Sequence, residues 1–225
     1  MAIKIQSTDD ISSDGIKVIV YGKAGIGKTR LMATAPSPII LSCESGLLSL
    51  RKMNIPFIEI KTVEDIEESL EFVQSEEGKK YKTICLDSIT EISEVVLSNF
   101  KPNFRDPRKA YGEMNDKCAS LIRSFRDIKG KNIVFSAQRG RFVDEDSGIT
   151  NYFPAMPGRT LLQLIPYQFD GVFYMTLMQD AGGKDHRILK TAPEIGFEAK
   201  DRSGALRAVE KPDLTYLFNK ITGDK

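Results

Sequence analysis

The run Gly22-Lys23-Ala24-Gly25-Ile26-Gly27-Lys28-Thr29 has the spacing G-x-x-x-x-G-K-[ST]. Glycines so placed let successive backbone N–H groups turn inward and form a nest for an anion. A lysine beside the nest reaches the outer phosphates of a polyphosphate, and the hydroxyl after it is a ligand for Mg²⁺. Lys28 and Thr29 hold those two places, and residues Gly22 to Arg30 form the expected phosphate contact. An apolar run at 16–21 leads into the loop and a helical stretch at 28–35 leads out of it, so the context is strand, loop, helix. The competing account is an ordinary glycine turn between those two elements. The chemistry implied is binding of ATP together with Mg²⁺.

Such a loop requires a carboxylate to hold the hydrated metal. Asp87 ends the apolar run Ile84-Cys85-Leu86, the place where that acid must stand. In a parallel sheet all strands end at one rim. Glu44 follows the strand at 39–42, and Gln138 follows the strand at 133–137, so both can face the outermost phosphate. Glu44 is then suited to orient or deprotonate an attacking water, and Gln138 to sense the γ-phosphate. A helix-start acid favoured by the dipole is the alternative for Glu44, and a polar lead-in to a loop is the alternative for Gln138.

The elements that must position these residues alternate. Strands are expected at 16–21, 39–42, 57–60, 83–86 and 133–137, as continuous apolar runs without alternation. That is the mark of strands buried on both faces. Thr62 and Asp65 have capping-box spacing ahead of Val63, Ile66, Leu70 and Val73 at helical period. A second helix carries Ile89, Ile92, Val96 and Phe100 and stops at Pro102. A third carries Met114, Cys118, Leu121, Ile122, Phe125 and Ile128 and is expected to end at Gly130. Residues 138–158 show little periodicity and read as a long loop, and 160–165 as a short helix. Gly182-Gly183 joins strands at 172–178 and 186–191 into a hairpin. Asp213 caps a last helix. The fold class is therefore α/β, a three-layer P-loop domain over 16–225 with a mostly parallel central sheet and a C-terminal β-hairpin extension. A flexible segment at 1–15 precedes it.

Composition narrows the setting. The chain has 225 residues, with 32 basic and 31 acidic side chains, so there is no global charge to draw nucleic acid. Cys43, Cys85 and Cys118 are far apart and lack metal-site spacing, which fits a reducing, cytoplasmic compartment. The start has no signal-peptide pattern and no apolar run could span a bilayer. His186, the only histidine, has no partner at useful spacing and reads as a hairpin surface residue.

Together the P-loop, Glu44 after the next strand, Asp87-Ser88 closing an apolar strand, and Gln138 opening a long segment resemble the RecA-like recombinase ATPases. Pro157-Gly158 followed by a short helix and a strand is similar to the return from that family's second DNA loop. The chain lacks the extended terminal domains of bacterial RecA and is most similar to the core-only ATPases of bacteriophages, of the single-strand annealing and recombination type. Lys200-Asp201-Arg202 also resembles that group. The resemblance implies DNA loops at 100–109 and 139–159. The first holds Lys101, Phe104, Arg105, Arg108 and Lys109, and the second Arg139, Arg141, Phe142, Tyr152, Phe153 and Arg159. Cations can track phosphates while aromatics stack on bases. Asp144-Glu145-Asp146 is the counter-signal, a run of acids that repels a phosphate backbone.

The same resemblance implies a homo-oligomer, ring or filament, with a neighbour's cation completing the nucleotide site. Arg187 and Lys190 are in the matching region before Ala192-Pro193, and a one-residue departure in spacing leaves open which faces the neighbour. A solvent-facing charge on a hairpin is the alternative for both. The segment Ile3-Lys4-Ile5 could pair with a neighbouring sheet edge, with a frayed terminus as the alternative account. The expected function is an Mg²⁺-dependent, DNA-stimulated ATPase that binds single-stranded DNA and promotes annealing or strand exchange. A single-stranded-DNA-binding protein is a further expected partner. The rivals are a nucleotide or small-molecule kinase with an arginine lid near 139–141, a non-catalytic ATP-bound assembly or loader protein, and a hexameric helicase motor.

Overall fold

The computed structural model describes residues 15–44, 46–156 and 159–223, with side chains described except at 159–163. The segment 1–14 with Ile3-Lys4-Ile5, the Pro157-Gly158 pair and the Arg159 side chain lie outside the described residues. The strand β1 (Lys17–Gly22) has almost every residue buried, and the short helix α1 (Lys28–Met32) follows its loop. Next come β2 (Pro38–Ser42), β3 (Phe57–Glu59), helix α2 (Val63–Gln74) and β4 (Thr83–Asp87). The Thr62–Asp65 capping box forms in full: Asp65 N–H donates to Thr62 Oγ1 and Thr62 N–H donates to Asp65 Oδ2. Helix α3 (Ile89–Phe100) and the 20-residue α4 (Pro107–Arg126) pack together under strand β5 (Asn132–Val143).

The core strands form one sheet in the order β3, β2, β4, β5, β1, every neighbouring pair parallel. Beyond β1 come β7 (Gly171–Gln179), parallel to it, and then β8 (Asp185–Lys190), antiparallel to β7. The expected C-terminal hairpin is thus continuous with the central sheet. Short strands β9 (Lys200–Asp201) and β10 (Val209–Glu210) close that side, followed by helix α6 (Leu214–Thr222), with Asp213 Oδ1 accepting from Tyr216 N–H at its start. One apolar layer joins the sheet to α2, α3, α4 and α5 (Arg159–Gln168); the other joins it to α1 and α6. Helix, sheet, helix: the three-layer arrangement expected from buried strands.

Three local expectations are corrected. Residues 139–154 are not an irregular loop. Strand β5 runs on to Val143 and turns back as β6 (Thr150–Pro154), pairing Arg141 with Tyr152 and Phe142 with Asn151. Gly140 permits this because Phe153 lies across it; a β-carbon there would be 2.4 Å from the ring. The segment 100–109 is likewise ordered, with one 3₁₀ turn at Lys101–Asn103 and α4 beginning at Pro107 under an Asp106 cap. Finally, α4 ends at Arg126 rather than at Gly130, because Asp127 takes the cap and Gly130 serves a later turn at φ 67°.

Lys200-Asp201-Arg202 acquires a physical role at the rim opposite the P-loop. Lys200 and Asp201 pair with the start of β7, while Arg202 donates to Tyr167 O at 2.8 Å and faces Asp170 at 3.4 Å. His186 pairs with Asp180 at 2.6 Å across the exposed hairpin, in keeping with a surface role.

Candidate functional site

Register sets the site. Gly22 at the end of β1 is level with Gln138 on β5 and Met175 on β7, and Ser42 at the end of β2 is level with Asp87 on β4. All of these lie at one rim of the sheet, where β5 runs between the P-loop strand and the Asp87 strand. Gly27 enters α1 with φ 107°, a left-handed conformation that disfavours side chains. Beyond it Thr29 Oγ1 donates to Asp87 Oδ2 at 2.6 Å. Asp87 is only 2% exposed, and its other oxygen accepts from Ser136 Oγ on β5. The Asp87–Ser88 peptide is cis.

Lys28 curls over its own loop, donating to Gly22 O at 3.1 Å and Lys23 O at 3.2 Å. Burial pushes its pKa down, and the charges of Asp87 and Glu44 push back. Glu44 sits just past β2, where its carboxylate accepts from Ser88 Oγ at 2.7 Å. The structure therefore brings Lys28, Thr29, Glu44 and Asp87 to one place. Cys43 senses the same field: burial first, then Glu91, Asp87 and Glu44, push its thiol up to about 12.

Gln138 reaches this rim by a route the sequence did not show. Its amide donates to Glu91 Oε1 at 2.8 Å, and its backbone N–H donates to Thr90 Oγ1 at 3.0 Å. Burial and the neighbouring Glu44 and Glu94 raise the pKa of Glu91, and the Gln138 bond lowers it. The first turn of α3 thus presents Ser88 to Glu44, and Thr90 and Glu91 to Gln138. Ser136 and Glu91 are the site residues that sequence reasoning missed. Ser136 lies inside an apolar run, and Ser88-x-x-Glu91 has capping-box spacing, so both have ordinary structural readings.

The two cations expected at a neighbour's nucleotide, Arg187 and Lys190, each have a partner within the chain. Arg187 on β8 donates from Nε to Ile26 O at 2.8 Å, within the same chain's P-loop. Within the chain it thus braces its own phosphate loop. Together with Gly27, Arg30, Thr34, Met175 and Pro212 it lines a cleft of about 160 Å³ beside α1. Lys190 pairs with Glu194 at 2.9 Å and lies 4.6 Å from the Phe197 ring centre.

Among the expected DNA contacts, Lys101, Arg105 and Arg108 are exposed, but Phe104 is half-buried and packs on the core. Arg139 does not project outward. It lies 4.2 Å from the Tyr152 ring centre and donates to Tyr174 Oη at 3.2 Å. Strand alternation puts Arg139 and Arg141 on one face of the β5–β6 hairpin and Gln138 and Phe142 on the other. Phe142 is 52% exposed and stands 6.1 Å from Phe153. The hairpin root is anchored by Tyr21, which stacks on Tyr174 and donates to Glu198 O at 2.6 Å and Tyr152 O at 3.1 Å. Burial, foremost, raises the pKa of the Tyr21 hydroxyl. The acidic tip is ordered by Asp144, whose Oδ1 accepts from Ser147 N–H at 2.8 Å and Asp146 N–H at 3.2 Å; these bonds hold its carboxyl below the usual range.

The two expected metal ligands, the Thr29 hydroxyl and the Asp87 carboxylate, are oxygen donors within hydrogen-bond distance of each other. That donor chemistry fits Mg²⁺. Among the described residues no helix is long and apolar enough to cross a membrane.

Residues 14–203 match the AAA domain family. No curated protein matches the sequence. Among solved structures, a KaiC-like protein from the hyperthermophilic archaeon Pyrococcus horikoshii is similar at 13% identity and a TM-score of 0.40, over 78% of each chain. The strand order, the P-loop with its buried aspartate, and the family match over most of the length agree: the chain belongs to the AAA domain family and is a nucleotide-binding P-loop ATPase.

Proposed function

We propose that this ATPase works on single-stranded DNA, as a homo-oligomer, and promotes annealing or strand exchange of the kind found in phage recombination. The observation that carries the reading is β5 itself. One continuous strand holds Ser136 against Asp87, Gln138 at the P-loop rim, and Arg141 and Phe142 in the projecting hairpin. Gln138 and Phe142 are four residues apart, about 13 Å of extended chain. A change at the phosphate end therefore has a short covalent path to the Phe142–Phe153 face, where unpaired bases can stack. Exposed Arg141, and Lys101, Arg105 and Arg108 elsewhere on the surface, supply cations for the phosphates.

The hydrolytic step follows from the residues at the rim. Glu44 accepts a proton from water as the water oxygen bonds to the γ-phosphorus and the bond to the β-phosphate oxygen breaks. Lys28 leaves the Gly22 and Lys23 carbonyls to neutralise the phosphate oxygens, and Arg187 keeps the Ile26 carbonyl in place. Thr29 and Asp87 would hold Mg²⁺, which when bound supplies positive charge against the phosphates. Gln138 reads the γ-phosphate and passes its presence along β5.

ATP turnover with and without single-stranded DNA, together with sizing of the protein in each state, tests the reading. Stimulated turnover and a larger assembly on DNA are expected. Turnover indifferent to DNA would remove the nucleic-acid half, and phosphoryl transfer to a nucleoside monophosphate would install a kinase in its place. An arginine lid for such a kinase finds no support in Arg139, which is folded against Tyr152 and Tyr174.

A further inference from the structure

Two helices of this chain begin with a hydroxyl residue followed three positions later by an acid, and the two acids behave differently. At α2 both capping bonds form, and Asp65 turns back to its own helix start. At α3, Ser88 Oγ accepts from Glu91 N–H at 3.4 Å, but the Glu91 carboxylate turns away and takes the Gln138 amide at 2.8 Å. The acid is thus diverted from the usual cap to the residue at the P-loop rim.

The backbone of Gln138 is fixed on both sides. Its N–H donates to Thr90 Oγ1 at 3.0 Å, Thr90 Oγ1 donates to Ala155 O at 2.8 Å, and Ala155 N–H donates to Gln138 O at 2.8 Å. The side chain is exposed and, among the described residues, tied only at its amide, by Glu91, so release of that one bond lets it turn while the main chain stays put. Its Cα is level with Gly22, the first residue of the phosphate loop and a hydrogen-bonded neighbour at about 4.8 Å strand spacing. The donating amide takes Glu91 as its acceptor, on a residue whose strand neighbour opens the phosphate loop.

We propose that Glu91 is a positioning residue that holds Gln138 in a resting orientation, and that the γ-phosphate of bound ATP competes with Glu91 for the same amide. This rests on the ATPase reading and deepens it: the Glu91–Gln138 pair tells triphosphate from diphosphate, because only the triphosphate offers the competing acceptor. Glu91 acts through Gln138 and touches no reacting atom.

The pair makes a quantitative demand on affinity ratios. Triphosphate binding that turns the Gln138 amide towards the P-loop breaks its bond to Glu91, and diphosphate binding calls for no such turn. Glu91→Asp keeps the charge but shortens the side chain by one carbon–carbon bond, about 1.5 Å, too far to hold the amide. Glu91→Ala removes both charge and acceptor. Glu91→Gln keeps an acceptor oxygen at the same reach. Affinities for ADP and for a non-hydrolysable ATP analogue are measured by calorimetric titration in excess Mg²⁺.

In Glu91→Asp and Glu91→Ala the preference for the ATP analogue over ADP should rise about 3- to 10-fold, a charge-assisted bond discounted for its exposure. Glu91→Gln, which keeps the acceptor but loses the charge, should fall between wild type and Glu91→Ala. In a Gln138→Ala background none of the three should change the preference. Equal shifts for both ligands would leave the amide with no part in telling them apart, and a rise that persists without Gln138 would reduce Glu91 to a background charge; either overturns the proposal. Should Glu91→Ala fail to fold, Glu91→Asp carries the same comparison. If wild type and Lys28→Ala bind nucleotide alike, the P-loop reading itself is wrong, an outcome separate from failure of the latch.

Discussion

Ser136→Ala isolates one hydroxyl of the site with little change of volume. In the wild type, Ser136 Oγ donates to one oxygen of Asp87 while Thr29 Oγ1 donates to the other, and Asp87 is 2% exposed. Removing the serine hydroxyl leaves a buried carboxylate oxygen without that donor. A hydrogen bond to a charged group contributes about 1.5–3 kcal/mol. In a chain of this size, each kcal/mol moves the melting temperature by about 2–4 °C. The expected fall is therefore about 3–12 °C, read by calorimetry or circular dichroism without nucleotide. The second readout is the metal. A residue that orients a metal-binding carboxylate is worth about 10–100-fold in metal affinity or activity, so half-maximal ATP turnover should need about 10–100-fold more Mg²⁺. Ser93→Ala is the control: Ser93 is also buried and donates to Ile89 O at 2.8 Å, but it does not touch Asp87. It should lower stability without moving the Mg²⁺ requirement. If Ser136→Ala melts early but needs no more Mg²⁺ than Ser93→Ala, the Thr29–Asp87–Ser136 chain does not build the metal position, and that reasoning fails.

Glu44→Gln should leave nucleotide affinity within a few-fold of wild type and lower turnover about 100-fold or more, as loss of a general base does; single-turnover kinetics separate the two. Gly140→Val places side-chain carbons where the Phe153 ring lies, and should cost about 1–3 kcal/mol in denaturant unfolding and weaken fluorescence-detected DNA binding if the Phe142–Phe153 face is the stacking surface. Arg187→Ala should weaken ATP-analogue binding even in a dilute, monomeric sample, because Arg187 holds its own chain's Ile26 carbonyl; an effect seen only in assembled protein would point to an inter-subunit role instead. Backbone N–H bonds from Lys61 and Thr62 hold the Asp65 carboxyl below its usual range. A depressed folded-state pKa adds stability above the unfolded value, about 3.9, and loses it as pH falls through the folded value. Melting curves taken across acidification should therefore converge for wild type and Asp65→Asn at low pH and separate towards neutrality.

The phosphate end of the molecule was legible because its chemistry is local. The P-loop is eight consecutive residues, and Asp87 and Glu44 are found by asking where apolar runs stop, which is what a parallel sheet makes of a strand's C-terminal end. The β5–β6 hairpin was not legible, because Gln138-Arg139-Gly140-Arg141 has no apolar alternation and Gly140 looks like a loop residue until Phe153 is seen lying across it. Ser136 and Glu91 depend on contacts across 49 and 47 residues of sequence, which spacing along the chain cannot display. Phe104 and Arg139 show the same dependence on distant contacts. Their residue types suit nucleic acid, but nearby apolar and aromatic surface claims them for packing. That Arg187 reaches its own chain's loop was also not legible, since only the pairing of β8 with β7, and of β7 with β1, brings it there.

The 12 residues of β5 change environment halfway: Ile133 to Ala137 lie in the sealed interior, whereas Arg141 to Val143 stand in solvent. Their amide protons should therefore report two lifetimes within one ribbon, slow to exchange with deuterium up to the rim and fast beyond it, with the boundary at Gln138. Nucleic acid settling on the hairpin would shift that boundary outward along the strand, so a single peptide fragment spanning it could register occupancy of both ends of the molecule in one mass spectrum.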